Sequence, residues 1–428
     1  MHILFLTENF PPETNAAATR VYERACYWVK WGHRVTVITQ APNFPEGRLF
    51  PGYDNRWRRV EEMDGIRVVR VKTFIAPNRG VVRRSLDFLS FMATGVPAGL
   101  REIDTAMGPA MGPDVVAATS PQFFAAVAGW LIAALRGRPF VFELGDLWPA
   151  SIAAVGAMRQ NALLSLVERL ELFLYRRAEA VAALTDSFKD NLVRRGVPAG
   201  KIAVVKNGVD VWRYGPGPRD QALAAQWGLA GKFVVGYVGT HGMAHGLVNV
   251  LDAAERLKGD DGIRFLLVGA GAERDRLIAE AKRRNLTNVV FMPAQPKEAM
   301  PRVWRLCDAA LVHLKADPLF AGVIPSKMFE AMASGVPLLL AAPEGEASRI
   351  LTGTGAGIAV AAGDPRALAD AVLGLAADAK ARQEFAERGL AAAPRFGRER
   401  QARDMLAVLE LAAARRGDEA AAIGGRAP

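Results

Sequence analysis

The stretch Val323-Ile324-Pro325-Ser326-Lys327-Met328-Phe329-Glu330-Ala331-Met332-Ala333-Ser334-Gly335-Val336-Pro337 reads as a loop that becomes a short helix, stops, and hands over to an apolar strand, Leu338 to Ala342. Pro325 and Ser326 suit the first helical positions, where an N–H is orphaned in any case and a hydroxyl is placed to cap. Gly335 stands where the helix should end, and Pro337 follows it. A helix start of this kind offers backbone N–H groups and a positive dipole end, a cradle for phosphate. Glu330 lies one turn further in, among Met328, Phe329, Ala331 and Met332. It is either a capping group at the core edge or an acceptor for ligand hydroxyls, a ribose for example.

Around this unit the chain alternates strands and helices in two series, the pattern of doubly wound parallel sheets. With 428 residues the chain exceeds the size at which single cores stop growing, so two domains are expected. The first series starts with the strand His2 to Thr7, and the turn Asp64-Gly65 signals a hairpin. Asn207-Gly208-Val209-Asp210 and Gly215-Pro216-Gly217-Pro218 have linker composition. The expected plan is a domain over 1–207, a linker over 208–222, a second domain over 223–395, a helix over 396–414 packing back on the first domain, and a disordered tail over 415–428. That makes the fold class α/β, with two Rossmann-like domains.

The formal net charge is +10, which points to phosphate-bearing partners. Arg56, Arg58, Arg59, Arg67, Arg70, Lys72, Arg79, Arg83 and Arg84 precede the apolar segment Leu86 to Leu100, a pattern that fits the inner membrane leaflet. No zinc finger, RRM-like aromatic pattern or helix-turn-helix is present, so nucleic acid is not expected as a partner. Two distant cysteines, Cys26 and Cys307, suggest no disulfide framework and a reducing compartment. The N-terminus lacks a basic start and a cleavage site, and the run Phe123 to Leu135 is too short to span a bilayer. The expected location is therefore cytoplasmic and peripheral.

In open parallel sheets, ligands sit beyond the carboxyl ends of the strands. In the second half that rule selects Thr240 to Gly246, Gly269 to Gly271, Met292 with Pro293, and Phe320 to Lys327. Gly239 and Gly246 allow close backbone approach. His245 is either a phosphate partner or a solvent-exposed cap, and Lys327 either neutralises a diphosphate or sits in solvent. Gly269-Ala270-Gly271-Ala272 is a weak signal by itself. In the first half, Glu13 to Arg20 forms the first strand-to-helix loop. Asp146 ends a strand beside Trp148: an acid for sugar hydroxyls and a ring to stack, or else a helix N-cap. His2, His33 and His313 read as structural.

Together, Asn207-Gly208-Val209-Asp210 and Lys327 to Pro337 resemble the family 4 retaining glycosyltransferases, whose GT-B fold sets two doubly wound domains facing across a cleft. Asn9-Phe10-Pro11-Pro12-Glu13, Pro42-Asn43-Phe44-Pro45-Glu46-Gly47, Asp146-Leu147-Trp148-Pro149 and Val323-Ile324-Pro325-Ser326-Lys327 resemble its bacterial subgroup for O-antigen and capsule polysaccharides, which includes proteins assigned as fucosamine transferases. The resemblance implies that Glu330 holds the nucleotide ribose and that Ser326, Lys327 and Met328 face the diphosphate. Gly239, Thr240, Gly246, Gly269 and Met292 complete the expected donor site. Glu13, Asn15, Ala16, Arg20 and Trp148 form the expected acceptor site, and Asp146, His245 and Lys327 serve catalysis.

Three departures from the family pattern stand out. The position eight residues before Glu330, where the family has its first glutamate, is Gly322. Thr240 and His245 fall where many members have Arg and Lys, and Asn15 and Ala16 where many have two glycines. The implied reaction moves a hexosyl or acetamidosugar, with retention, from a nucleoside-diphosphate sugar to a lipid-linked saccharide. No Asp-x-Asp lies on a suitable loop, so neither a metal nor a cofactor beyond the co-substrate is expected. The rival readings are a GT-B nucleotide-sugar epimerase and a non-catalytic sugar-nucleotide-binding protein.

Overall fold

Two compact units share the chain: Met1–Lys206 with Glu399–Pro428, and Asn207–Arg398. The computed structural model describes residues 1–76, 81–104, 112–120, 123–147 and 162–424.

The first unit is built on an eight-stranded sheet in the order β3-β4-β2-β1-β5-β6-β7-β8. Its strands are β1 (His2–Leu6), β2 (Arg34–Gln40), β3 (Arg58–Met63), β4 (Ile66–Val71), β5 (Val115–Thr119), β6 (Phe140–Leu144), β7 (Ala180–Ala183) and β8 (Ile202–Val204). All neighbours run parallel except β3 against β4. Asp64 and Gly65 make that hairpin turn with φ of 50° and 77°, the left-handed pair a two-residue turn requires. Every residue of β1, β5, β6 and β7 is buried, as expected for strands covered on both faces.

The last helix, Arg398–Gly424, closes this unit. Ala402, Met405, Leu409 and Ala412 join Ile3, Phe5, Trp28 and Val37 in one core. Trp28 Nε1 donates to the Ala402 carbonyl at 2.9 Å. The helix continues ten residues past 414 to Gly424, which corrects the expectation of a disordered tail from 415.

The second unit carries a six-stranded, all-parallel sheet in the order β11-β10-β9-β12-β13-β14. These strands are β9 (Phe233–Val238), β10 (Ile263–Val268), β11 (Val289–Met292), β12 (Ala309–His313), β13 (Leu338–Ala341) and β14 (Gly357–Val360). The chain builds outward from β9 to β11, then returns to the other side at β12, so the topological switch point lies between β9 and β12. Residues 207–222 are no free linker. Val209 bridges to Gly397, Arg219 reaches the Leu306 carbonyl at 2.6 Å, and Asp220 caps the helix Gln221–Gln226.

The opening stretch forms the helix Lys327–Ala333, ended by Ser334 and by Gly335 at φ 70°. Ser326 sits in helical backbone and makes no side-chain cap. Capping needs an extended residue at that place, and here the turn is tightened instead: Met328 N–H donates to Pro325 O at 3.1 Å and Phe329 N–H to Ser326 O at 3.0 Å.

Candidate functional site

At the switch point of the second unit two loops meet. One leaves β9 through Gly239 to Gly246; the other leaves β12 and ends at Lys327. Gly239, at φ 138°, lets them close: a Cβ there would stand 2.8 Å from Lys327 Nζ. The Lys327 side chain lies over the Tyr237 ring, with Nζ 3.8 Å from the centroid. Its ammonium is buried and has no hydrogen-bond partner among the described residues. Burial pushes this lysine down to about 7. A buried cation supported by a π-face and by no counter-ion within hydrogen-bonding reach is a site that an anion would complete.

Glu330 is half-buried, and its Oε2 accepts from Trp304 Nε1 at 3.2 Å. Burial raises its pKa, opposed by the Trp304 bond and the Lys327 charge. One carboxylate oxygen thus has an indole partner. Phe329, next to Glu330 on the helix, is stacked on Phe396 with ring centroids 4.4 Å apart. Trp304 and Tyr237 were not singled out in the sequence, because each is one apolar residue in an apolar element.

His245 and His313 bond across the junction of the two loops. His313 Nδ1 meets the His245 carbonyl at 2.6 Å while Asn249 Nδ2 meets His313 Nε2 at 2.9 Å, so His313 carries its proton on Nδ1. His245 Nδ1 lies 3.3 Å from the His313 carbonyl and spends its own proton there. Burial, aided by the Lys327 charge, pushes His245 down to about 3. In the protein without ligand, burial thus favours the neutral ring, with Nδ1 turned to the loop. His241, fully buried beside Tyr237 at 5.8 Å between ring centroids, is held near 4 by burial and by the charges of Arg274 and Lys327.

The Met328 side chain lies in the core, so only its backbone is near the loop junction. Ser326 is half-buried, Thr240 is exposed, and Thr240 O accepts from Tyr237 Oη at 2.7 Å. Gly246, at φ 56°, ends the short turn Met243–His245. Met292 is half-buried at the end of the edge strand, and its carbonyl accepts from Gly269 N–H at 3.1 Å. Gly269 and Gly271, at φ 154° and 151°, bring the β10 loop against the β9 loop. A Cβ on Gly269 would overlap the Gly239 carbonyl oxygen. Gly269→Ala is therefore expected to displace the Gly239 loop, costing about 1–3 kcal/mol and weakening nucleotide binding. Thermal unfolding and nucleotide titration of the variant measure the two effects.

In the first unit, the residues after β1 serve the loop itself. Glu13 is buried, and its Oε1 accepts the N–H groups of Asn43 and Phe44, both at 2.8 Å. This bond ties the segment Asn9 to Glu13 to the segment Pro42 to Gly47, while Oε2 is buried without a hydrogen-bond partner among the described residues. Asn15 caps the helix Ala16–Lys30 by accepting from Ala18 N–H at 3.0 Å, and Ala16 is exposed on the first turn. Arg20 is buried and bound to Glu143 at 3.0 Å and to Thr119 Oγ1 at 3.2 Å, so its charge is committed within the protein.

Asp146 is half-buried just past β6, beside Gly145, whose N–H donates to Ser120 Oγ at 3.0 Å. Trp148 and Arg79 lie outside the described residues. Two acids that sequence reading missed lie nearer β1: Glu8 and Asp87, both buried, each with one oxygen unpartnered among the described residues. Burial pushes Asp87 up to about 7, and burial with the Asp87 charge raises Glu8 well above the usual range. Among the described residues no group of three or more His, Cys, Asp and Glu side chains is placed to hold a metal ion.

A family model described as "Glycosyl transferase 4-like domain" matches residues 15–208, and one described as "Glycosyl transferases group 1" matches residues 220–391. WcaI of Escherichia coli (strain K12), assigned as a colanic acid biosynthesis glycosyl transferase, is 26% identical over 346 residues, covering 78% of this chain and 82% of WcaI. Sucrose-phosphate synthase from Thermosynechococcus elongatus has a similar structure: TM-score 0.77 at 18% identity, covering 96% of this chain and 98% of that one. Anabaena Alr3699/HepE, solved in complex with UDP-glucose, gives 0.71 at 20% identity, covering 96% and 100%. At such identities these structural likenesses establish the fold.

Proposed function

The chain belongs to family 4 of the GT-B glycosyltransferases, and on that premise we propose that it transfers a sugar, with retention, from a nucleoside-diphosphate sugar to a lipid-linked saccharide in cell-surface polysaccharide biosynthesis. The observation that carries the donor reading is Lys327, a buried ammonium without a hydrogen-bond partner among the described residues, set against the Gly239 loop at the switch point. A diphosphate bridging that loop and Lys327 supplies the missing counter-charge. As the bond from anomeric carbon to diphosphate breaks, negative charge grows on the leaving oxygen, and a preorganised cation stabilises it more than it stabilises the ground state. Glu330, held by Trp304 through one oxygen, offers the other to ribose hydroxyls. Departing phosphate oxygen takes the acceptor's proton, so no dedicated base is assigned.

Two similarities support the substrate class: a polysaccharide-biosynthesis relative and a fold neighbour solved with UDP-glucose. The inner leaflet is the expected site of the acceptor because Lys72 and Arg83 are exposed beside the apolar helix segment that starts at Leu86, a combination that favours anionic lipid. Among the described residues no helix is long and apolar enough to cross a membrane.

The test is incubation with UDP-, GDP- and dTDP-sugars plus a polyprenyl diphosphate-linked saccharide, followed by product analysis. Transfer with the anomeric configuration kept supports the proposal. A free sugar epimer without transfer indicates an epimerase, and tight binding without turnover indicates a binding protein. Glu330→Ala is expected to weaken nucleoside-diphosphate binding about tenfold, the worth of one or two hydrogen bonds to a carboxylate. Unchanged affinity in a titration would remove Glu330 from the ribose.

A further inference from the structure

The helix Val81–Asp104 covers the first unit's sheet with one face and leaves an apolar stripe on the other. Asp87, Phe91, Gly95, Ala98 and Glu102 are buried beneath it. On the opposite side Leu86 is 46% exposed and Leu89 39%, and Ala93 and Pro97 are exposed as well. A period of 3.6 residues lines up these four positions. Outward helix faces are ordinarily polar, so this stripe calls for a partner.

Its border shows what kind of partner. Phe74, 47% exposed, lies beside the stripe, because its backbone N–H donates to Ser90 Oγ at 2.7 Å. The Lys72 carbonyl accepts from Thr94 Oγ1 at 2.9 Å, and Lys72 Nζ lies 5.0 Å from the centroid of Trp57, a ring 71% exposed. Arg83 is exposed one turn before Leu86. The nearby acids are occupied or turned inward: Asp54 binds Arg56 at 2.7 Å, Glu102 holds Arg67 at 2.8 Å and also Arg58, and Asp87 is buried. Arg84 is exposed as well, but it stacks on Phe88 at 5.3 Å and its charge interacts with Glu8 and Asp87.

An apolar stripe beside exposed rings and cations is the surface that lies in a bilayer interface. We propose that this face docks the protein on an anionic lipid surface. Leu86 and Leu89 enter the acyl boundary, Trp57 and Phe74 lie at headgroup depth, and Lys72 and Arg83 meet lipid phosphates. The assignment rests on the lipid-linked acceptor proposed above and names the residues that bring the first unit to it.

The test is co-sedimentation of the full chain with vesicles of phosphatidylcholine alone or with added phosphatidylglycerol, in the absence of donor and acceptor. Binding is expected to the anionic vesicles only and to weaken with salt. Each cation near such a surface is worth roughly fivefold. Lys72→Glu with Arg83→Glu should therefore reduce binding by well over tenfold, and Leu86→Glu with Leu89→Glu should abolish it. Thermal unfolding and UDP affinity of each variant confirm an intact fold, since all four side chains are exposed. Absence of vesicle binding, or binding indifferent to the leucine pair, overturns the proposal. So does a dimer, seen by light scattering, that the leucine pair dissolves. Vesicle binding without sugar transfer leaves the surface standing and removes the enzymatic reading, while transfer without vesicle binding does the reverse.

Discussion

Lys327→Met is expected to lower UDP affinity by roughly 30- to 100-fold, about 2–3 kcal/mol, the worth of charge-assisted hydrogen bonds to a diphosphate. The same change is expected to raise, or leave unchanged, the unfolding temperature of the second unit. Those opposite signs separate a binding role from a structural one. The ammonium is buried over Tyr237 without a hydrogen-bonding partner among the described residues, so the free protein bears its desolvation and the ligand relieves it. The pH dependence follows from the lowered pKa of about 7. Between that value and the ordinary lysine range the unfolded chain holds a proton that the folded one has lost, so stability rises with pH across this window. Below it, both states are protonated and the full cost of burying the cation is felt. Methionine removes this slope. Binding runs the other way: a diphosphate favours the protonated lysine, so affinity falls as pH rises through about 7 and beyond, and binding at pH 8 takes up a proton. Calorimetry in buffers of different ionisation enthalpy reads that proton directly. Uptake that persists in Lys327→Met would assign it to another group.

Why some of this could be read from the sequence and some could not has a physical basis. The two sheets were legible because strands buried on both faces become continuous apolar runs, as in Leu338 to Ala341, and because Asp64-Gly65 and Gly335 need left-handed backbone. Lys327 and Glu330 were legible as candidates because they are charges on an otherwise apolar helix. What they do depends on partners far along the chain: Tyr237 is 90 residues from Lys327, and Trp304 is 26 from Glu330. No local pattern encodes those pairings. Glu13, Arg20 and His245 show the same limit from the other side. Each follows closely on a strand's carboxyl end, Arg20 within the helix Ala16–Lys30, and each has bonds inside the protein: Glu13 Oε1 with Asn43 and Phe44, Arg20 with Glu143, His245 with His313. Position selects loops, but whether a polar group on them is free for a ligand is decided by long-range hydrogen bonds.

Glu143→Gln is expected to destabilise the first unit by about 3–5 kcal/mol, lowering its unfolding temperature by roughly 10 °C for a unit of this size. Glu143 is the sole charged residue of β6 and is fully buried, with Oε1 3.0 Å from Arg20 Nε and Oε2 2.8 Å from Arg24 Nη2. Burial opposes its ionisation, but the Arg24 and Arg20 charges outweigh that and hold it at about 2. Glutamine keeps the volume and loses the charge, leaving two buried guanidinium groups uncompensated. Arg24 is the worse placed, since its Nε and Nη1 are buried without hydrogen-bond partners among the described residues, and the Phe5 and Trp28 rings face it at 5.9 and 5.7 Å. Adding Arg24→Met to Glu143→Gln should therefore restore part of the loss, and the double-mutant cycle measures the coupling. The sign of the pH effect follows from the depressed pKa. The stabilisation is complete above the unfolded carboxylate's pKa, near 4.5, and is lost as pH falls from about 5 towards 2. Glu143→Gln should flatten that acid limb. Activity should fall with it, because Ser120 N–H donates to the Glu143 carbonyl at 3.0 Å and Ser120 Oγ holds Gly145, the residue before Asp146. A variant that unfolds earlier yet transfers sugar at the native rate below its transition would confine Glu143 to stability and release Asp146 from any dependence on it.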